Sequence, residues 1–337
     1  ERADGRLRLQ GKIRMYAEES PGSFIRLFYE KLVPESAMEW CKEEVNSHIS
    51  WKKDVTLPAE GYRIRVTPER IIVRAADDAG FIYAIQSLRQ WNTVEERVLI
   101  FPCVEITDFP RVKWRSFMLD SGRQYQKVST IKKYIDMASM LKMNYFHWHL
   151  TDDQGWRIEI KRYPFLTEKG AWRDSTAINH PSSFSQPVFE KKRYGGYYTQ
   201  EQIREVVAYA AEHHVTIVPE IDIPGHMLAA LTAYPSLGCI QKGYQVGTQW
   251  GIYSDVLCAG NAACYTFLKD VMQEVIELFP GPYIHIGGDE CPNERWKSCE
   301  KCQSWMRKNH ISDEYALQSY VIEYVGKYLK KHHKRLI

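Results

Sequence analysis

Asp289 and Glu290 stand side by side in the stretch HIGGDECPNERW, residues 285–296, directly after Gly287 and Gly288. Pro280-Gly281-Pro282 breaks the preceding helix, and Tyr283, Ile284 and Ile286 read as a short buried strand, so the two acids fall at a strand's C-terminal end. Two carboxyl groups acting on one bond are the general requirement for glycoside hydrolysis, one protonated to donate to the leaving oxygen and one ionised. Adjacent charges help, because an anion beside a carboxyl group raises its pKa. Neighbours in sequence project in different directions, however, so this pair does not flank one sugar as acid and nucleophile. The division of labour that suits it is different. One acid protonates the glycosidic oxygen, and the other holds a group of the substrate that itself attacks.

The elements that must position such residues follow one rhythm. Lys113 to Leu119 reads as a strand ending at Asp120, Tyr145 to His149 as one ending at Asp152-Asp153, and Thr216 to Pro219 as one ending at Glu220 and Asp222. Helices are expected over Thr130–Lys142, Gln200–His213 and Tyr265–Leu278, with a long loop up to Thr199 and a last helix to about Lys331 capped by Ser312. Alternating strands and helices predict a parallel sheet. Acids and histidines at strand C-termini are where a (β/α)8 barrel keeps its chemistry. A doubly wound sheet gathers ligands there too, but no G-x-G-x-x-G or G-x-x-x-x-G-K-[ST] follows a strand. The expected fold class is therefore α/β, a TIM barrel over residues 105–337. A small α+β domain over residues 1–104 precedes it. There Tyr62–Val66 alternates in polarity, Ile71–Arg74 does so more weakly, and Ala79–Gln90 has the three-and-four spacing of a helix packed on a sheet.

Composition narrows the class. The net charge is +3 with acids and bases interspersed, and the cluster Lys330–Lys334 reads as a solvated helix end, so nucleic acid is not an expected partner. No run of about 18 apolar residues exists to span a membrane. With 10 Trp and 21 Tyr, the aromatic side chains serve either an aromatic core or sugar-binding surfaces. The opening ERADGRLRLQ does not look like a natural start, and the expectation is a secreted or periplasmic protein seen without its leader. Eight cysteines are too few for a disulfide scaffold at this length. Cys299-x-x-Cys302 with Cys291 nearby suggests zinc, but no second pair is close in sequence, so plain thiols or a local disulfide are expected and no metal.

Four blocks make the reading specific: LDSGR at 119–123, HWHLTDDQGWRIEI at 147–160, PEIDIPGH at 219–226 and HIGGDE at 285–290. In order and spacing they resemble glycoside hydrolase family 20, the β-N-acetylhexosaminidases. EGYRIRVTPERIIVRAADDAGFIYAIQSLRQ, starting at Glu60, resembles the small domain that precedes the barrel in that family. The resemblance implies a retaining exo-glycosidase that removes terminal β-linked N-acetylhexosamine from oligosaccharides or glycoconjugates, with no cofactor. Its attacking group is the substrate's own 2-acetamido oxygen, and its intermediate is an oxazolinium-type ring. Glu290 then resembles the general acid that later serves as base, and Asp289 the acceptor for the acetamido N–H. Arg123 resembles the arginine that binds sugar hydroxyls, with Gly122 before it where the family commonly has serine. Asp152 and His226 resemble a pair supporting the catalytic acid, and His149, Asp120 and Trp156 are placed around them, His149 and Trp156 on the substrate-binding side with Arg123. The implied partner is a glycan ending in β-N-acetylhexosamine, with a homodimer left open.

Blander readings stand beside these. His147 and His149 on a buried strand are ordinarily satisfied core histidines, Asp120 serves equally as a structural partner of Arg123, Asp153 reads as a turn or helix cap, and Asp222 as turn chemistry. A rival class is a metal-dependent hydrolase on the same barrel, using His147, His149, Asp152 and His226, although no H-E-x-x-H is present. A sugar-binding module that has lost its activity predicts a missing acid, and both are present. The barrel itself is short. A complete one needs roughly 250 residues, whereas 337 − 104 = 233 remain after the first domain. Only four strand–helix pairs can be counted, with Lys334–Ile337 starting a fifth strand. The expectation is that the chain carries about the first half of a barrel and is part of a longer one. Residues 1–337 alone, with both sheet edges unpaired, are expected to be inactive.

Overall fold

The structure is a computed structural model and describes residues 2–337 except 21, 23, 34, 97 and 180–185. The chain forms two compact units. One comprises Glu1–Ser116 with Lys132–Tyr145 and Ala208–Val215, the other Phe117–Ile131, Phe146–Val207 and Thr216–Ile337.

The first unit is built on a mixed sheet of β1 (Arg2–Leu9), β2 (Ile13–Ala17), β3 (Met38–Trp40), β4 (Ile49–Lys53), β5 (Tyr62–Val66), β6 (Ile71–Ala75), β7 (Thr93–Glu95) and β8 (Val98–Asp108). Its order is β1-β8-β5-β6-β4-β2-β3, with β7 also on β8. Alternation sets the register: Tyr62, Ile64 and Val66 point inward with Ile71, Val73 and Ala75, while Arg63 and Arg65 face solvent. Helices α1 (Phe24–Lys31) and α2 (Asp78–Trp91) supply apolar faces to the same core, where Phe24, Trp51 and Phe81 meet. The Asp77 carboxylate caps α2 by accepting from the Gly80 amide at 2.9 Å. Residue 105, the seam suggested by the sequence, lies inside β8.

From Ser116 onward strands and helices alternate as the pattern predicts: β9 (Ser116–Asp120), α3 (Val128–Met140) and β10 (Tyr145–Asp152), which pairs with β9. The stretch after β10 is more ordered than the single long loop expected. It carries β11 (Gly155–Trp156), α4 (Phe165–Glu168), β12 (Trp172–Arg173), β13 (Thr176–Ala177), β14 (Phe189–Glu190) and β15 (Tyr194–Gly195), with β12 on β15 and β13 on β14. Two-residue ladders are too short to print a period in the sequence. Then follow α5 (Gln200–Glu212), β16 (Thr216–Ile221), α6 (Leu228–Ala233), α7 (Ala262–Leu278), β17 (Tyr283–Ile284), α8 (Glu294–Ser298), α9 (Glu300–Asn309), α10 (Glu314–Lys331) and β18 (Arg335–Leu336). β16 lies on β10, a parallel bridge Glu220–His285 joins β16 to the β17 segment, and β17 pairs in parallel with β18. These are the expected strand–helix pairs and the expected start of a fifth strand. The cap of α10 differs from the expectation. Asp313, not Ser312, accepts from the Ala316 amide at 2.8 Å, and the Ser312 hydroxyl donates to Asp313 instead.

Much of the aromatic content is core: Trp51, Trp148, Trp156 and Trp296 are fully buried. Trp148 packs against Phe146 and donates to the Ser121 hydroxyl at 2.9 Å, which ties β10 to the turn after β9.

Candidate active site

Every acid and histidine singled out at a strand end lies in the second unit, on β9, β10 and β16 or on the segments that follow β10, β16 and β17. Glu290 and His226 form the central contact, His226 Nε2 to Glu290 Oε2 at 3.2 Å. Both residues have left-handed backbones, φ +41° and +51°, a conformation that bulky side chains adopt only where their surroundings impose it. Gly287 makes the turn possible. Its φ is +64°, and a Cβ there would overlap the Asp222 carboxylate. Asp289 is exposed beside Glu290.

On its other side the His226 Nδ1 faces two carboxylates, Asp153 Oδ2 at 2.9 Å and Asp152 Oδ1 at 3.2 Å. Asp153 was expected only as a cap. It is one, since its Oδ1 accepts from the amide of Leu228, the first residue of α6, but it is also the nearer partner of His226. Burial opposes charge on His226, yet the two carboxylates outweigh it and raise its pKa to about 11. A cationic imidazole is thus directed at Glu290.

Asp152 is the hub of the next layer. It accepts from Arg123 at 2.9 Å and from His149 Nε2 at 2.8 Å, and these cations with His226 hold it far below the usual carboxylate range despite its burial. Asp120 pairs with Arg123 through both its side chain (3.1 Å) and its backbone amide (2.9 Å). Gly122 explains the local departure from serine, because a Cβ there would press on the Asp152 Cβ at 2.9 Å. Beyond His149 lies Glu220, which the sequence marked only as a strand end. Its carboxylate accepts from His149 Nδ1 and His147 Nε2 (2.7 Å), and it lies 3.0 Å from Nδ1 of His285, the nitrogen that accepts from the Gly287 amide. Burial works to raise Glu220, but the three histidines keep it ionised, and in return His149 is pushed up to about 10. The histidines proposed as metal ligands therefore spend their nitrogens on carboxylates: both nitrogens of His149 and both of His226 are so engaged.

Two residues placed on the substrate-binding side are buried in this structure. Trp156 is 1% exposed, donates its indole N–H to the Ile158 carbonyl at 2.7 Å and packs near Phe267, so it is a core residue. His149 is enclosed between Glu220 and Asp152 and positions the latter rather than facing a ligand. An aromatic that no pattern announced takes the exposed place. Trp250 is 59% exposed and its ring lies 4.4 Å from the Arg123 guanidinium. Together with Gln124, Gln154, Arg173 and Gln249 they line a cavity of about 200 Å³. Arg157, wholly buried, fixes this region by donating to the carbonyls of Ser121, Gly122, Gln154, Ala171 and Gly196. Asp222 is also enclosed. Burial pushes it up to about 7, and its Oδ1 has no hydrogen-bond partner.

Residues 112–337 match "Glycosyl hydrolase family 20, catalytic domain" and residues 1–109 match "Glycosyl hydrolase family 20, domain 2". The chain belongs to glycosyl hydrolase family 20. Family 20 relatives include a β-hexosaminidase of Porphyromonas gingivalis, 45% identical over 84% of this chain and 36% of its own length. Another from Vibrio furnissii is 37% identical over 98% and 54%. Among solved family 20 structures, a β-N-acetylhexosaminidase from Bacteroides fragilis superposes with a TM-score of 0.88 at 65% identity, covering all of this chain and 64% of the other. An exo-β-N-acetylglucosaminidase from Vibrio harveyi in complex with N-acetylglucosamine superposes at 0.86 with 34% identity, covering all of this chain and 52% of the other. The chain thus spans about a third to two thirds of the length of these relatives. The fold is that of the family, a TIM-barrel catalytic domain after an N-terminal domain.

Proposed function

We propose that the protein carrying this chain is an exo-acting β-N-acetylhexosaminidase that works by substrate assistance. The observation that carries the reading is the relay Asp153/Asp152–His226–Glu290, with Asp289 one residue before its terminal acid. In the first step Glu290 protonates the glycosidic oxygen while the 2-acetamido oxygen attacks the anomeric carbon. The bond from that carbon to the leaving oxygen breaks, the aglycone departs as an alcohol, and an oxazolinium-type ring remains. Asp289 accepts the acetamido N–H and stabilises the positive charge that grows on the group. In the second step Glu290, now a carboxylate, takes a proton from water. The hydroxide opens the ring at the same carbon, with net retention.

Half of the Glu290 side chain is solvent-exposed, which leaves its carboxyl group open to a glycosidic oxygen laid over it. Arg123, locked between Asp120 and Asp152, offers its fork to sugar hydroxyls. The test compares the p-nitrophenyl β-glycosides of N-acetylglucosamine and glucose on the natural full-length protein. Hydrolysis should require the acetamido group. Equal turnover of the glucoside would overturn the mechanism.

A further inference from the structure

The structure brings four cysteines together, and we propose that Cys239, Cys258, Cys299 and Cys302 form a structural tetrathiolate site for a divalent metal ion, zinc in the first instance. This inference stands independently of the glycosidase reading. The four sulfurs lie within 4.8 Å of one another. The measured separations are 3.6 Å for Cys258–Cys302, 3.7 Å for Cys258–Cys299 and 3.9 Å for Cys239–Cys302. A tetrahedral ion with Zn–S bonds of about 2.3 Å sets its sulfurs about 3.8 Å apart, the edge of the tetrahedron. A disulfide requires about 2.05 Å. An iron–sulfur cluster anchors its cysteines on separate irons and spreads them more widely.

The surroundings are built for such a site. Cys299 and Cys302 lie in the first turn of α9, Cys299 at its N-cap. The other two come from the segment between β16 and α7. An antiparallel bridge Gly238–Leu257 and the hydrogen bond from the Cys258 amide to the Leu237 carbonyl set them side by side. Gly260 allows the two segments to close. A Cβ there would strike the Lys301 carbonyl carbon and oxygen at 2.2 Å. Cys258 and Cys302 are buried, Cys239 and Cys299 half-buried. Cys264 is the instructive contrast: equally buried, it spends its thiol on the Leu237 carbonyl at 3.2 Å and stands apart from the four.

The consequence is positional. His226 rises from one of the joined segments and Glu290 from the other, so an ion here would clamp together the two stretches that carry the 3.2 Å contact. In sequence the second pair is hidden, because Cys239 and Cys258 are far from the Cys299-x-x-Cys302 knuckle and only the barrel brings them to it.

The experiment uses the natural full-length protein, purified without chelator. Elemental analysis should find one zinc per chain. A mercurial reagent should release it, and reconstitution of the stripped protein with cobalt should produce thiolate-to-cobalt charge transfer and the intense d–d bands of a tetrahedral site. Cys302→Ser should lose the zinc and the cobalt spectrum, while Cys264→Ser should retain both. If Cys302→Ser does not fold, the cobalt spectrum of the parent decides. Protein free of zinc whose four cysteines alkylate as thiols or run as disulfides after denaturation, a parent that gives no thiolate–cobalt bands, or zinc that persists in Cys302→Ser, would overturn the assignment.

Discussion

Replacing Asp153 by Asn tests the relay at the point where structure departs most from sequence. Asp153 serves two donors at once, the Leu228 amide at 3.0 Å on Oδ1 and His226 Nδ1 at 2.9 Å on Oδ2. An asparagine has one oxygen. If that oxygen stays on Leu228, the NH2 group faces Nδ1 and Asp152 is left as the carboxylate partner of His226. If it turns to His226, two donors confront each other at the buried Leu228 amide. Either arrangement forfeits a charge-assisted hydrogen bond, worth about 1.5–3 kcal/mol. At about 1.4 kcal/mol per tenfold, kcat/KM on a substrate with a poor leaving group should fall on the order of 10–10². An activated p-nitrophenyl glycoside should lose less in its first step, because that leaving group hardly needs the proton. Asp152→Asn gives the second arm. It removes the 3.2 Å partner of His226 but also the anchor of Arg123, so KM should rise together with the fall in kcat. The assay is initial-rate kinetics of the full-length protein on chitobiose-type and p-nitrophenyl substrates, with thermal unfolding as a check on folding. Asp153→Asn that keeps activity within about twofold, in a folded protein, would refute the reasoning and return the role to Asp152 alone.

Three further outcomes follow from the same geometry. The folded pKa of His149, about 10, lies above its unfolded value of about 6.5, so the protonated form stabilises the fold. That contribution is fully present below about pH 6.5 and is lost as pH rises through about 10, so chemical denaturation of His149→Gln should differ from the parent at about pH 6 and converge on it above about pH 10. Asp313→Ala should lower the denaturant midpoint while Ser312→Ala changes it little, because the Asp313 side chain accepts from the Ala316 amide at the start of α10. Trp156→Phe should lower the melting temperature and leave KM unchanged, and a raised KM with unaltered stability would restore Trp156 to the substrate-binding face.

The sequence by itself pointed to the family and to the main alternation of strands and helices in the second unit. Those features are local. Period-2 alternation in Tyr62–Val66, three-and-four spacing in Ala79–Gln90 and an acid after each strand of the barrel are all written within a few residues of where they act. The start of a fifth strand was equally legible, and β18 lies where Lys334–Ile337 placed it. What only the tertiary structure decided are relations between segments far apart in the chain. That both adjacent aspartates, Asp152 and Asp153, reach Nδ1 of His226 depends on how the chain turns after β10. That Glu220 collects His147, His149 and His285 depends on three neighbouring strands. Trp156 and Trp250 carry the same side chain, yet one is walled in by the core and the other left over Arg123, because burial is assigned by packing and not by residue type. The four cysteines make the same point most sharply. Read along the chain they are a lone knuckle and two scattered thiols, and the fold brings their four sulfurs within 4.8 Å of one another.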